Sequence, residues 1–314
     1  MRRAFFQTLT KLADEDPRIV LLTADLGYLA LECFAERHPA RFFNVGVSEQ
    51  NMVGVATGLA EAGYLPFTYS IVPFSVLRPY EFIRNGPVHH RLPVRVVGVG
   101  GGVEYGTNGI SHYGIEDVAA MRALDGIAVV APADHLQAVA ALEKMWDWPG
   151  PVYIRLGKDD KTSIPGLDGK FEAGRLQQIG HGRDLLLVTM GSVAPEAVRA
   201  AELLAEEGIA CTVAVVASVV PAPEAELGAL LRETRLVMTV EEHVPSGGLG
   251  SLVAEFIAES GIPCRLMRRA IGSVSDGLSG SQGYLRDRHG LSAARLRDAA
   301  REAINRRAPS PPIS

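Results

Sequence analysis

Short, β-branched apolar runs alternate along the chain with longer amphipathic stretches, and this alternation constrains the fold more than any other feature. Runs such as Ile19–Thr23, Val152–Leu156 and Leu236–Val240 have the length and composition of buried strands. Stretches with helical spacing of apolar residues, for example His135–Trp146, lie between such runs. The pattern predicts an α/β fold built from mainly parallel sheets.

The periodicity fails between Lys158 and Arg183, where Gly, Pro, Asp and Lys accumulate. We interpret this segment as a linker, and predict a first domain over 1–160, a linker over 161–181 and a second domain over 182–308. The length agrees with two domains, because the chain has 314 residues and a domain commonly has about 150. The remaining residues, 309–314, include three prolines, and we expect this tail to be frayed.

Charge and composition exclude several classes of function. A net charge of −5 gives no reason to expect nucleic acid or an anionic membrane as a partner. No apolar run approaches the roughly 18 residues of a membrane span, and polar residues interrupt the basic start, so we expect no signal peptide. The three cysteines are scattered without metal-ligand spacing, which predicts a cytoplasmic protein without a cysteine metal site.

A polar segment leads into a Gly- and Ala-rich helix that begins near Glu49. In isolation, Ser48 would be a helix cap and Glu49 a first-turn acid favoured by the helix dipole. The stretch from Asn44 to Ala60, however, closely resembles the transketolase signature around the glutamate that activates thiamine diphosphate. The resemblance makes Glu49 that catalytic glutamate, hydrogen-bonded to the aminopyrimidine of a cofactor that serves as an electron sink.

A second segment, Pro66–Phe74, carries aromatic residues that would most often belong to a core. The transketolase pattern makes Phe74 the ring that stacks on the aminopyrimidine, a contact worth about 0.5–1.5 kcal/mol beyond its buried area. Ile71 stands where transketolases usually have another phenylalanine at the edge of the same pocket. Asp25 matches a carboxylate near the thiazolium ring. The resemblance therefore implies cofactor contacts by Glu49, Phe74, Asp25 and Ile71.

A glycine-dense loop follows the strand that ends at Val99, and its spacing fits neither the dinucleotide fingerprint nor the P-loop. By resemblance it lines the substrate channel, and His112 is the catalytic histidine that contacts the sugar near the reacting carbons. Gly100 replaces a second substrate histidine and is expected to open space beside His112. Asn108 replaces an aspartate that recognises donor hydroxyls, and an amide brings no charge. We expect an altered donor or acceptor.

Two arginines match family positions that bind the substrate phosphate, namely Arg155 and Arg2. A guanidinium is the expected partner of a planar, bidentate anion. Leu29 replaces a serine that helps to hold the phosphate. In the second half of the chain, Glu241–His243 and the glycines that follow resemble the C-terminal transketolase domain. We expect those residues to form a strand end that leads into a helix start.

The resemblance covers almost the whole chain. It implies a pyrimidine-binding domain and a transketolase C-terminal domain, each a mostly parallel sheet flanked by helices. The family holds the diphosphate through Mg²⁺ on a Gly-Asp-Gly segment, which this sequence lacks. The resemblance therefore implies that an N-terminal, diphosphate-binding subunit supplies the Mg²⁺ site, in a heterotetramer of two large and two small subunits, with thiamine diphosphate at each interface.

The leading functional hypothesis is transfer of a two-carbon ketol unit between sugar phosphates. The departures at Gly100, Asn108 and Leu29 keep an alternative open: a β-type subunit of a 2-oxo acid dehydrogenase, which passes two carbons to a lipoyl or carrier-protein thiol. Deoxyxylulose-phosphate synthase is weaker, because its Asp-Arg-Ala-Gly segment is missing. A non-catalytic subunit is also open, although the presence of Glu49 and Phe74 argues against it.

Overall fold

The computed structural model describes residues 1–305, and the predicted tail over 309–314 lies outside them. The helices are α1 Arg2–Glu15, α2 Glu32–Arg37, α3 Glu49–Glu61, α4 Val72–Val76, α5 Tyr80–Ile83, α6 Asp117–Arg122, α7 His135–Met145, α8 Ala194–Glu206, α9 Glu224–Glu233, α10 Leu249–Glu259, α11 Gln282–Arg288 and α12 Ala293–Asn305. The strands are β1 Ile19–Thr23, β2 Phe42–Asn44, β3 Leu65–Ile71, β4 Arg95–Val99, β5 Ala128–Val130, β6 Val152–Leu156, β7 Gln177–Ile179, β8 Leu185–Thr189, β9 Cys211–Val215, β10 Ser218–Val220, β11 Leu236–Val240 and β12 Arg265–Arg269.

The first sheet has seven strands in the order β10-β5-β6-β4-β3-β1-β2. All neighbours are parallel except β10, which pairs antiparallel with β5. Strands β1, β4, β5 and β6 are buried along their whole length, as expected for a parallel sheet covered on both faces. Strand β10 comes from the second half of the chain, so that half completes the edge of the first sheet.

The second sheet has five strands in the order β12-β11-β8-β9-β7. Its strands are parallel except β7, which pairs antiparallel with β9 and lies inside the predicted linker. The predicted fold class, two mostly parallel sheets flanked by helices, is confirmed. The domain limits of 1–160 and 182–308 stay a prediction.

Alternate residues of the first sheet face two different apolar layers. Leu21 and Val97 pack with residues of α1, α2 and α7 on one face. Val20 and Val96 pack on the other face, in a cluster that includes α3 and α6 and continues into Val188 of the second sheet. One apolar cluster is therefore shared by the two domains. Within the described residues, no helix is long and apolar enough to cross a membrane, and the three cysteines are unpaired.

The carboxyl ends of the parallel strands of the first sheet lie at one edge, where ligands bind in open α/β sheets. The loop after β1 carries Asp25, and β2 leads directly to Glu49. Strand β3 leads into α4, which carries Phe74, and β4 leads into the glycine-dense loop. The sheet thus brings the predicted site residues of separate motifs to the same edge.

Candidate functional site

Glu49 is the first residue of α3, and its side chain is 1% exposed. Ser70 Oγ donates a hydrogen bond to its Oε1 at 3.2 Å, and Arg78 Nη1 donates to its Oε2 at 2.6 Å. A buried carboxylate is strongly unfavourable unless it is paired and hydrogen-bonded, and these two side chains supply the pairing. Ser48 occupies the N-cap position, but its side chain makes no capping hydrogen bond. The simpler interpretation of Ser48 as a side-chain cap is therefore wrong.

Phe74 lies in α4, and its ring is half-buried. The guanidinium carbon of Arg78 lies 4.4 Å from the centroid of that ring, in a cation–π contact. Because Arg78 follows Phe74 by one helical turn, the two side chains share a face of this segment. Ile71 directly precedes α4 and is half-buried, so it lies one turn before Phe74. Ile71, which is predicted to lie at the edge of the pyrimidine pocket, is thus close to Phe74 in the sequence.

His112 reaches the same place from the glycine-dense loop. Its imidazole meets the Phe74 ring edge to face, with centroids 5.1 Å apart. Its Nδ1 lies 3.0 Å from Ser111 Oγ, and the centroid of the Tyr105 ring lies 6.3 Å from that of the imidazole. Glu49, Phe74 and His112, predicted from separate motifs, are therefore linked by direct contacts through Arg78 and the aromatic ring.

Asn108 is exposed on a short 3₁₀ turn, Gly106–Asn108, next to the turn that carries His112. Its Oδ1 accepts a hydrogen bond from Thr107 Oγ1 at 3.3 Å, and the amide is open to solvent. The expected open space at Gly100 is absent, and that prediction is wrong. Gly100 has a φ of +80°, and a Cβ there would lie 2.2 Å from the ring of Tyr105. Tyr105 fills the space.

Asp25 lies at the carboxyl end of β1 in a left-handed conformation, with φ of 56°. Asn44 holds it in place: the Asp25 amide donates to Asn44 Oδ1 at 3.1 Å, and Asn44 Nδ2 donates to Asp25 Oδ1 at 2.9 Å. Aspartate tolerates this backbone region better than most residues. The carboxylate is exposed at the site edge, as its predicted cofactor contact requires.

Arg155 lies beneath the glycine-dense loop, where a Cβ at Gly101 would lie 2.6 Å from its guanidinium carbon, and its binding of substrate phosphate stays a prediction. Its side chain is 3% exposed beneath the junction of the two domains. Nε donates to Asp117 Oδ2 at 2.8 Å, and Nη2 donates to the carbonyls of Gly114 and Glu242. Burial disfavours the charged guanidinium, but Asp117, together with Tyr153 and Glu242, outweighs this effect and the pKa of Arg155 is raised. In the structure, the hydrogen-bond partners of the Arg155 guanidinium are protein groups.

Arg2, the other predicted phosphate ligand, is half-buried at the start of α1. Its Nε and the hydroxyl of Tyr69 are both buried without a well-formed hydrogen bond. Burial raises the pKa of Tyr69, and the nearby Arg2 cation opposes that rise. Burial also raises the pKa of Tyr105, and the Arg2 cation opposes that rise. Arg2 thus has donor capacity available at this end of the site.

Four residues of the site were missed or given no role from the sequence: Ser70, Arg78, Tyr105 and Lys158. The spacing of Phe74 and Arg78 is a local signal that could have indicated their contact. Lys158 Nζ lies 4.0 Å from the centroid of the Tyr105 ring and donates to the Glu104 carbonyl at 3.3 Å. No local signal predicts that contact, because it joins the loops after β4 and β6.

The Glu241–His243 segment has structural roles, as expected. Glu241 accepts hydrogen bonds from the amides of Leu249 and Gly250 at the start of α10, and burial raises its pKa to about 7. His243 Nε2 accepts from the amide of Ala119, while Nδ1 lies 2.7 Å from the Val244 carbonyl and donates to it. Burial lowers the pKa of His243, which favours this neutral form. The segment joins the second domain to α6 of the first.

The residues at this edge fit the aminopyrimidine end of thiamine diphosphate. Glu49 offers carboxylate lone pairs, and Phe74 offers a half-buried ring at the same wall. Asp25 adds an exposed carboxylate nearby. Across residues 1–305, no group of three or more His, Cys, Asp or Glu side chains could hold a metal ion. The arrangement can therefore orient a flat, hydrogen-bonding ring against a buried carboxylate.

Comparisons with known proteins agree with this geometry. The family model of the transketolase pyrimidine binding domain matches residues 1–162, and that of the transketolase C-terminal domain matches residues 174–296. The chain is 36% identical to an apulose-4-phosphate transketolase subunit of Actinobacillus succinogenes, over 85% of this chain and 86% of the relative. It is 35% identical to a 6-deoxy-6-sulfo-D-fructose transketolase subunit of Clostridium sp., over 98% of this chain and 95% of the relative.

A solved structure is similar along nearly the full length. It is described as a split gene transketolase, inactive beta4 tetramer, and superposes with a TM-score of 0.86 at 36% identity. The match covers 96% of this chain and 97% of that one.

Proposed function

The chain belongs to the transketolase family, and from this premise we propose that it is the pyrimidine-side subunit of a split transketolase. In this proposal it transfers a two-carbon ketol unit between sugar phosphates. The observation that carries the proposal is the contact series from buried Glu49 through Arg78 and Phe74 to His112 at one sheet edge. The resemblance drawn from residues 44–60 is confirmed by the family match.

Each residue of the site has a defined task in this proposal. Bound thiamine diphosphate supplies the electron sink for the ketol carbons. Glu49 hydrogen-bonds the ring nitrogen of the aminopyrimidine, and Phe74 stacks on the ring. His112 holds a sugar oxygen close to the reacting carbons, and Asn108 hydrogen-bonds a donor hydroxyl. Arg2 binds the substrate phosphate.

The proposal includes a partner. We assign the Mg²⁺ and diphosphate contacts to an N-terminal transketolase subunit in an α2β2 assembly with the cofactor at its interfaces. Two similar proteins are named as transketolase subunits, and the split-gene relative is described as inactive in its beta4 form. These descriptions support a requirement for a second kind of subunit. We place the assembly in the cytoplasm, in accord with three unpaired cysteines.

The relatives also support an altered donor. They are named for apulose 4-phosphate and for 6-deoxy-6-sulfo-D-fructose. Asn108, where the family pattern has aspartate, is the residue to which we attribute a donor other than xylulose 5-phosphate. The β-type 2-oxo acid dehydrogenase alternative is not favoured, because the similar subunits are named as transketolases.

The test uses the complex reconstituted from this chain and the N-terminal subunit of the same organism. A panel of sugar and sulfosugar donors is offered with an aldose phosphate acceptor, and a 2-oxo acid is offered with a lipoyl domain in parallel. We expect ketol transfer from at least one sugar donor, and no acylation of the lipoyl domain. Lipoyl acylation without ketol transfer would reject the transketolase assignment.

A further inference from the structure

Arg78 contacts both side chains that meet the aminopyrimidine in the proposed function. It bonds the Glu49 carboxylate and lies over the Phe74 ring. We propose that Arg78 is a positioning residue for this pair, which fixes the carboxylate and the ring in the relative orientation that the aminopyrimidine requires. The inference rests on the proposed function and assigns a role to a residue outside the motifs that support it.

The contact with Glu49 is electrostatic and short. Glu49 is buried, and its two side-chain partners are the neutral Ser70 hydroxyl at 3.2 Å and the Arg78 guanidinium at 2.6 Å. Among residues 1–305, Arg78 is the one cationic side chain that contacts this carboxylate. Charge-assisted hydrogen bonds of this length are directional as well as strong. Loss of Arg78 leaves a buried carboxylate held by one neutral hydroxyl and free to rotate.

The contact with Phe74 fixes the second element. The guanidinium carbon lies 4.4 Å from the ring centroid, and the His112 imidazole meets the same ring edge to face. The ring therefore contacts both a planar cation and an imidazole, which limits its tilt. A flat cofactor ring stacks well only when the tilt of Phe74 and the direction of the Glu49 lone pairs match. One side chain, Arg78, touches both.

The shape of the guanidinium explains why arginine suits this position. One nitrogen bonds the carboxylate while the guanidinium carbon lies over the aromatic ring. A lysine ammonium is a compact point charge. It can pair with Glu49 or lie over Phe74, but it makes the two contacts together less well than arginine does. The Arg78 side chain is 38% exposed, so its replacement opens no cavity in the core. Substitution of Arg78 can therefore test its positioning role without disturbing the fold.

The same geometry has a competing interpretation, which the experiment separates. A flat cation on a carboxylate and an aromatic face resembles a protonated aminopyrimidine, so Arg78 could instead be a placeholder that the cofactor displaces. A placeholder competes with thiamine diphosphate, and its removal tightens cofactor binding. A positioning residue cooperates with the cofactor, and its removal weakens binding.

The test uses the reconstituted complex with Arg78→Met and Arg78→Lys. Arg84→Met is the matched control, because Arg84 is exposed on the next turn and hydrogen-bonds Asn85. Calorimetry with Mg²⁺ gives the Kd of thiamine diphosphate, and steady-state kinetics at saturating cofactor give kcat and the sugar KM. For Arg78→Met we expect about tenfold weaker cofactor binding and at least about tenfold lower kcat, with the sugar KM within about twofold. Arg78→Lys recovers part of both losses, and Arg84→Met matches wild type.

A double-mutant cycle on the cofactor Kd shows whether Arg78 acts through Glu49. In a Glu49→Gln background, Arg78→Met should weaken cofactor binding by clearly less than the roughly tenfold expected in wild type, because only the Phe74 contact is then lost. Tighter cofactor binding by Arg78→Met, a normal Kd and kcat, a change in KM alone, or full additivity with Glu49→Gln would each overturn the inference. If the wild-type complex is active and any of these results is obtained, the inference about Arg78 is wrong but the proposed function still stands. A wild-type complex that neither binds thiamine diphosphate nor transfers ketol units overturns both.

Discussion

The ring of Phe74 and the imidazole of His112 meet edge to face, with centroids 5.1 Å apart and planes at 75°. Phe74 follows β3 and His112 lies in the loop after β4, and these strands are parallel neighbours in the sheet. A residue expected to contact the cofactor and a residue expected to contact the sugar therefore share one wall. The cofactor and sugar parts of the site therefore form one continuous surface. Substitutions of its residues should affect separate steps of one reaction.

Glu49→Gln should leave the fold nearly intact and lower turnover by about 10²–10⁴-fold, the usual contribution of a positioned acid–base group. The amide can keep the Ser70 contact, and the freed Arg78 is exposed enough to be solvated. The measurement is deuterium exchange at C2 of thiamine diphosphate, with turnover, in the reconstituted complex. Glu61→Gln, on the exposed end of α3, is the matched control. Unchanged exchange would make Glu49 a residue of the helix start alone.

The sequence predicted those strands that read as unbroken apolar runs. Strands β1, β6 and β11 have the bounds expected from their residues. Strand β3 was missed, because Pro66, Thr68 and Ser70 interrupt its apolar character. It is nonetheless a buried central strand, since Thr68 bonds a neighbouring carbonyl and Ser70 bonds Glu49. The polar residues that conceal the strand are in part those that build the site.

Tertiary contacts decide what the residues identified by resemblance can do. Arg155 keeps the family position, but its partner Asp117 comes from α6, and only the folded structure shows that they pair. Gly100 suggested open space, and Tyr105 from the same loop fills it. Motifs therefore identified Glu49, Phe74 and His112, whereas the partners that decide how each side chain can act came from other elements.

Arg155→Met should lower the free energy of unfolding by about 3–5 kcal/mol, the range for breaking a buried ion pair. Its loss leaves Asp117 at the domain junction with the Tyr153 hydroxyl but no cation. Urea unfolding of the isolated chain measures the change. Arg2→Met is the contrasting variant, which should raise the KM for phosphorylated sugars while its unfolding free energy changes little. A stable Arg155→Met protein with a raised substrate KM would contradict this prediction and favour Arg155 as a phosphate ligand.

Asn108→Asp should improve use of xylulose 5-phosphate by about tenfold in kcat/KM, because a carboxylate makes roughly twofold stronger hydrogen bonds to donor hydroxyls. Asn108 is exposed, so the fold should not change. Gly100→His is unsuitable as a companion variant, since Gly100 has a positive φ and faces the Tyr105 ring. A donor panel on the reconstituted complex gives the result. If wild type already uses xylulose 5-phosphate efficiently and Asn108→Asp adds nothing, donor specificity does not depend on this residue.

The pH dependence of stability should report Glu241. Burial raises its pKa from the ordinary 4.5 to about 7, against the opposing amides of Leu249 and Gly250. A raised pKa in the folded state adds stability that is complete below about 4.5 and is lost as the pH rises through about 7. The loss amounts to about 3 kcal/mol at most. Unfolding free energies of wild type and Glu241→Gln between pH 5 and 8 should therefore differ in slope, and parallel curves would contradict this prediction.

Calorimetric titration of thiamine diphosphate, with Mg²⁺, into this chain, into its N-terminal partner subunit and into their mixture tests the proposed division of the site most directly. In that division, this chain contributes the aminopyrimidine contacts of Glu49 and Phe74, and the partner contributes the diphosphate and metal contacts. We expect saturable binding with one cofactor per pair of subunits in the mixture, and weak or no binding to this chain alone. Tight binding and full turnover by this chain without the partner would contradict the division.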